Sequence, residues 1–379
     1  MLIPMVQHQQ ISLTQPIGID SRLLDQLAHL FDRVVLREPA VTDENRWHSH
    51  RVAGKTWQFA RPLTLTPYAS AQPCSARCRF CSENLREARD NSVMSARLRP
   101  GPLYFDQLRQ ALSQLSCVPL SYSLSGLEST DDPDWLCLLL DTLSDARSSG
   151  PLVEGSVLYT NGAGLALYPQ RLIPALLEFG LSWVEWSRHH HTDHANDLIM
   201  RLRRGQPVAQ QEQVIQALKA VNTQVPVKLV CVVQRGGVAS SQDVLDYVRW
   251  AHGVGIRSVI FREFSALPAS YQANATKRYV DDHRVRIDDL LEDCLTNPEF
   301  RSMFEPEALT QGYYFWNARW RGPHLTETVF ERANYQRLHD RELQGEQQGL
   351  IYKLVFHANG RLCGGWRPDQ YVIWSADAC

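Results

Sequence analysis

Short apolar runs and amphipathic stretches alternate through the middle of the chain. "RPLTLTPY" alternates apolar and polar positions as a strand does. "VPLSYSLS" precedes the helical "DPDWLCLLLDTLSDAR", and "GSVLYTNG" precedes "YPQRLIPALLEFG". "LSWVEWS" leads through a polar stretch to "EQVIQALKAVN", "VPVKLVCVVQ" leads to "SQDVLDYVRWAHGVG", and "RSVIFREF" closes the run. β-branched and aromatic runs alternating with amphipathic helices predict βα units on a parallel sheet. About six strands fall between residues 62 and 264, which predicts an α/β fold with a partial (β/α)6 barrel, short of the eight strands of a closed one.

The flanks follow other patterns. Residues 1–60 read as an N-terminal lead-in: a helix over "IDSRLLDQLAHLFDRVV", capped by Asp20 or Ser21, then the polar, turn-rich "TDENRWHSHRVAGKTWQFA". Residues 61–268 hold the barrel core. Residues 269–379 form a C-terminal cap or extension, with the aromatic and basic "YYFWNARWRG" and strands joined by an Asn359-Gly360 turn.

The 379 residues are 44% hydrophobic and 21% charged with net charge -2. That suffices for a large core and leaves no electrostatic footprint for nucleic acid or an anionic membrane. No apolar run reaches transmembrane length and no signal-peptide pattern opens the chain, which predicts a cytoplasmic protein. In a reducing compartment, clustered cysteines are ligands or catalysts. Of nine cysteines, three crowd into "CSARCRFC": Cys74, Cys78 and Cys81. Four thiols in two CxxC pairs would suggest a closed zinc site; three suggest a metal centre with an open position, or a zinc site completed by a histidine or a distant cysteine.

With an aromatic, Phe80, just before the last cysteine, this motif resembles the signature of the radical S-adenosylmethionine (radical SAM) superfamily. Three further stretches follow in that family's order. Ser125-Gly126-Leu127-Glu128, after the second strand, lies where the family often carries a Gly-Gly-Glu-Pro-like turn against the cofactor's amino group; Leu127 and Ser129 replace the second glycine and the proline. Thr160-Asn161-Gly162 ends the third strand like the family's frequent Thr-Asn-Gly, although Asn-Gly is also a routine tight turn. Ser187 and Arg188 follow the fourth strand, where relatives place a polar residue near the cofactor's ribose or carboxylate. Arg262, on the sixth strand, resembles an arginine that some relatives aim at that carboxylate. Arg262 and Glu263 point to opposite faces, so only one looks into the barrel.

The resemblance implies a [4Fe-4S] cluster on Cys74, Cys78 and Cys81, with S-adenosyl-L-methionine at the open iron. Reductive cleavage would give a 5′-deoxyadenosyl radical that abstracts hydrogen from a small-molecule substrate, such as an amino acid or natural-product intermediate. It also implies an electron donor such as flavodoxin or ferredoxin. A peptide maturase is the alternative, and a non-catalytic zinc or cluster-binding module is the third reading. His189, Glu263, Trp316 and Arg319 are candidates for the substrate. His190, His191 and His194 read as a solvated loop rather than a second metal site. Cys363 is a candidate hydrogen-atom donor, set against a plain core role. Cys294, Cys363 and Cys379 are too few for an auxiliary cluster.

Overall fold

The computed structural model describes residues 21–31, 34–36, 44–85, 97–202, 211–265, 267, 271–312 and 314–376. Helix α1 (Ser21–Leu30) buries Leu23 and Leu27, while Asp20, one of its two expected caps, lies outside the described residues. After β1 (Val34–Leu36), the segment expected to be turn-rich forms a hairpin, β2 (Trp47–Val52) and β3 (Lys55–Ala60). Ala53 and Gly54 make its turn at φ 47° and 79°. Two positive φ angles match the right-handed twist of the flanking strands.

Next come β4 (Thr64–Tyr68), α2 (Tyr104–Ser113), β5 (Pro119–Leu124), α3 (Pro133–Asp145) and β6 (Leu152–Thr160). Then follow α4 (Ala163–Leu167), α5 (Pro169–Phe179), β7 (Trp183–Ser187), α6 (Asp193–Met200), α7 (Gln211–Asn222) and β8 (Val227–Val233). α8 (Ser241–Gly253) leads into β9 (Ser258–Glu263). Strands β4 to β9 pair in sequence order, all parallel.

Side chains on a strand alternate between faces, and the parallel register carries that alternation across the sheet. One face presents Leu65, Tyr122, Leu158, Val184, Leu229 and Val259, all buried in the main core with Leu139, Leu172, Leu218 and Leu245 of the helices. The opposite face is polar. There Tyr159, Glu185 and Lys228 stand in one register row, and Val232, Arg262 and Glu331 in another. A small separate cluster, Val230, Ile260 and Val329, also lies on that face midway along the strands, as do Val157 and Trp183.

The remaining elements are α9 (Ala275–His283), α10 (Ile287–Thr296), α11 (Pro298–Met303), β10 (Glu305–Gln311), β11 (Phe315–Arg321) and β12 (Glu327–Ala333). They are followed by α12 (Tyr335–Gln348), β13 (Leu350–Ile351), β14 (Leu354–His357), β15 (Arg361–Cys363) and β16 (Val372–Ser375). Their strands enter the same sheet at both of its edges, in the order β1-β10-β11-β12-β9-β8-β7-β6-β5-β4-β14-β15-β16. β2, β3 and β13 form a second, three-stranded sheet. The order is linear, so among the described residues the large sheet does not close on itself. Lys353 ties its two flanks together: its ammonium lies 5.3 Å from the Tyr314 ring, before β11, and 5.0 Å from the Trp366 ring, after β15. Among the described residues no helix is long and apolar enough to cross a membrane.

Helix α4 sits hard against the loop after β5. A Cβ at Gly164 would lie 1.8 Å from the Thr130 carbonyl oxygen, a backbone atom that cannot swing aside. Gly164→Ala is expected to cost roughly 2–3 kcal/mol in urea unfolding, and an unchanged midpoint would refute this packing.

Candidate functional site

The three cysteines occupy one loop at the C-terminal end of β4, each half-buried. The Cys81 amide donates to the Cys78 carbonyl at 3.2 Å, so the second half of the motif is a tight turn. Around it, the loop is fastened to the ends of other strands. Ser75 N–H donates to Asp131 Oδ2 at 2.6 Å, after β5. Asn161 Nδ2, after β6, donates to Ser75 Oγ at 3.0 Å and lies 3.7 Å from Cys74 Sγ. Arg77 N–H donates to the Met200 carbonyl at the end of α6, which Cys78 Sγ also faces at 3.6 Å. The Phe80 ring packs edge-on against His189, after β7, and at 5.1 Å against Phe264, after β9.

Burial raises all three thiols, Cys78 to about 12, and neighbouring carboxylates and thiols push the same way. A bound metal reverses that order, because a coordinating thiol is deprotonated outright. Among the described residues no group of three or more His, Cys, Asp or Glu side chains converges on a single-ion site. A cubane cluster takes each thiolate at a different iron, so three thiols spread along one loop fit it in kind and number.

Glu128 stands behind this loop, 3% exposed. Its Oε1 accepts from the Thr130 hydroxyl at 2.6 Å and the Thr160 hydroxyl at 2.7 Å, and its Oε2 from Asn161 N–H at 2.5 Å. Both oxygens are therefore engaged by protein donors, and the carboxylate joins the β5 and β6 loops. Gly126 makes that approach feasible. It has φ 147°, and a Cβ there would crowd the Ala69 backbone at 3.1 Å, where the cysteine loop begins. Leu127 follows at φ 53°, a left-handed conformation that side chains adopt at a cost. Among the clustered aspartates, Asp132 caps α3 by accepting from Trp135 N–H, while Asp131 reaches the cysteine loop. Both are carboxylates beside a helix start, so only the three-dimensional register separates their roles.

Asn161, Ser187 and Arg188 line one small cleft together with Asn196 and Met200. Arg188 is turned away towards the helices: its guanidinium lies over Trp250, 4.4 Å from the ring centre, and donates to Asp193 at 2.6 Å. His189 is buried and accepts from Val232 N–H through Nδ1 at 3.1 Å. Burial first, then the charges of Arg188 and Arg262, lower its pKa to about 3, so the ring is neutral. His190 and His191 stack on each other, and His194 is exposed.

The other candidates are dispersed. Arg262 faces the polar side of the sheet and pairs with Glu331 at 2.8 Å and Glu185 at 3.5 Å. Glu263 faces the helices, accepting from Ile287 N–H at 2.8 Å and pairing with Arg284. Trp316 is fully buried in the main core. Arg319 lies two strands beyond β9 on the polar face, paired with Glu327 at 3.4 Å. Cys363 is fully buried on β15, in a register row with Val355 and Thr66. Burial raises its thiol to about 12. Sequence reasoning missed Ser75, Asn196 and Met200, whose contributions run through a backbone amide, a loop contact and a carbonyl that leave no motif.

No family model and no curated protein matches the chain. Among solved structures it is similar to anSMEcpe with bound AdoMet, at 15% identity and TM-score 0.40 over 53% of this chain and 51% of that one. Streptococcus suis SuiB bound to S-adenosylmethionine is similar at 17% identity and TM-score 0.46, over 80% of this chain and 60% of that one. HydG, a maturase of the [FeFe]-hydrogenase, is similar at 10% identity and TM-score 0.36, over 66% and 55%. The chain spans about half the length of anSMEcpe.

Burial, followed by the charge of Asp131, raises the Glu128 carboxyl to about 7, against the hydrogen bonds it accepts. A carboxyl raised on folding contributes stability that is fully present below its unfolded pKa, about 4.3, and is lost as pH rises through about 7. Between pH 5 and pH 8 the protein should therefore lose stability relative to Glu128→Gln. Urea midpoints at the two pH values check this, and a constant gap would sink it. Glu128→Ala, which strands the hydroxyl and amide donors, is expected to cost roughly 2–4 kcal/mol at pH 7.

Proposed function

We propose that the chain is a radical SAM enzyme, built on residues 61–268 as a partial (β/α)6 barrel. The observation that carries this reading is the cysteine loop. Three thiols in the spacing CxxxCxxC leave the first strand of a parallel run, and the loops after β5, β6, β7 and β9 fasten them. Contacts from one loop to the ends of both β7 and β9 support a sheet curled around the polar face, which then becomes the barrel interior.

In this reading Cys74, Cys78 and Cys81 hold a [4Fe-4S] cluster. When bound, the cluster supplies the electron that cleaves S-adenosylmethionine, giving a carbon radical able to take hydrogen from an unactivated position. The protein's own residues position and enclose. Asn161 and Ser187 present polar atoms on the cleft beside the cysteine loop, and Gly126 packs against the Ala69 backbone where that loop begins. Glu128 acts one step behind, holding Asn161 N–H and the Thr160 hydroxyl in place. Phe80, Phe264 and neutral His189 form an apolar wall that excludes water from the loop's inner side. Tyr159, Glu185, Arg262 and Glu331 line the interior and suit a small polar substrate, such as an amino acid or natural-product intermediate.

Anaerobic reconstitution with iron and sulfide should load about four irons per chain. Reduction by dithionite with S-adenosylmethionine should then release 5′-deoxyadenosine, and Cys78→Ala should abolish both. Stoichiometric zinc with no cluster would overturn the reading in favour of a structural metal site.

A further inference from the structure

The Asn161 side chain is held in one orientation. Its Oδ1 accepts from Ala163 N–H at 2.8 Å, so the amide nitrogen, Nδ2, is turned the other way, towards the cysteine loop. Nδ2 carries two hydrogens and meets two acceptors there, Ser75 Oγ at 3.0 Å and Cys74 Sγ at 3.7 Å. The backbone is pinned as well, because Asn161 N–H donates to buried Glu128. Cys74 Sγ also accepts from Ala76 N–H at 3.3 Å, a donor from its own loop. Cys78 stands in a different field, since its Sγ faces the Met200 carbonyl oxygen at 3.6 Å. Cys74 thus collects two N–H donors, and Asn161 brings one of them across from the end of β6.

We propose that Asn161 tunes the redox centre: its amide N–H, held on the Cys74 sulfur, raises the reduction potential of the group that Cys74, Cys78 and Cys81 carry. The inference rests on the radical SAM reading, under which that group is a [4Fe-4S] cluster passing between two charge states. The electron balance is simple. The reductant loses one electron, the cluster gains one, and no bond is made or broken. Part of the added negative charge falls on the thiolate sulfurs. An N–H aimed at Sγ therefore stabilises the reduced state more than the oxidised one. Asp131 works in the opposite sense, because its carboxylate, accepting from Ser75 N–H at 2.6 Å, puts negative charge beside the same loop. Hydrogen bonds to the sulfurs and nearby net charge are the levers that set such potentials. In this role Asn161 acts through Cys74, as a positioning residue.

The test is a redox titration of the reconstituted full chain, read by the paramagnetic resonance signal of the reduced cluster. Asn161→Ser keeps an oxygen able to accept from Ala163 N–H but is too short to reach Cys74. At a potential fixed near the wild-type midpoint, its ratio of reduced to oxidised cluster should fall about tenfold, a shift of about 59 mV to more negative values for one electron. Asn161→Leu, which also lacks the donor, should shift the same way. Ser75→Ala, which keeps Nδ2 on Cys74, should leave the midpoint in place. Circular dichroism and iron analysis check that each variant is folded and loaded. A second readout needs no variant. Wild-type protein carrying heavy nitrogen only in its asparagine side chains should show that nitrogen coupled to the reduced cluster in pulsed paramagnetic resonance. No coupling, an unmoved or raised midpoint in a loaded Asn161 variant, or an equal shift in Ser75→Ala would overturn the proposal. Dithionite-driven 5′-deoxyadenosine formation separates it from the enzyme reading. Turnover with no shift removes the tuning role and keeps the enzyme. A shift in a cluster that never yields 5′-deoxyadenosine keeps the tuning role and removes that reading, and wild-type protein that takes up no cluster removes both.

Discussion

Much of the site hangs on one buried carboxylate. Glu128 gathers two threonine hydroxyls and the Asn161 amide, and Asn161 in turn reaches Ser75 and Cys74. The position of the first thiol is thus set by residues that follow two other strands. Such a hub is costly to bury and costlier to break, because every donor it satisfies would be orphaned at once. It also explains the glycine before it: only a backbone without Cβ lets the β5 loop press on the start of the cysteine loop.

The sheet's two faces do different work with one register. The helix side is a continuous apolar core, and the other side carries ion pairs such as Arg262 with Glu331 and Glu185. Pairs of this kind contribute little net stability, since their desolvation offsets much of their attraction. Apolar side chains there would pack at least as well. Their presence is better understood as a polar lining of that side of the sheet than as reinforcement of the fold.

The alternation of strands and helices was legible because both faces of the periodicity survive in "VKLVCVV" and its counterparts. The cysteine motif was legible because its chemistry depends on local spacing. The β2–β3 hairpin was not, because its buried Val52, Trp57, Phe59 and Ala60 are set among histidine, arginine, lysine and glutamine. Nor was the placement of β12 and β14 on opposite flanks of the β4–β9 block, which pairing across long sequence separations decides. Within the site, Asn161 and Glu128 stood out by position. The distinct duties of Asp131 and Asp132 did not, since adjacent carboxylates before a helix look alike until one is seen to cap and the other to cross to Ser75.

The sheet order also has a consequence for how the chain is made. Synthesis delivers β4 to β9 as a contiguous block, yet the outer edge of β4 is covered by β14 and that of β9 by β12. Until residues 327–357 leave the ribosome, the nascent parallel block has two bare edges, each a row of unpaired amides and carbonyls open to another strand. The cysteine loop, by contrast, already has its partners after β5, β6, β7 and β9. Under the proposed function, a thiol site that takes shape while its scaffold is still unsealed would have a window in which a cluster could be inserted. In that same window the chain is most exposed to pairing with a neighbour.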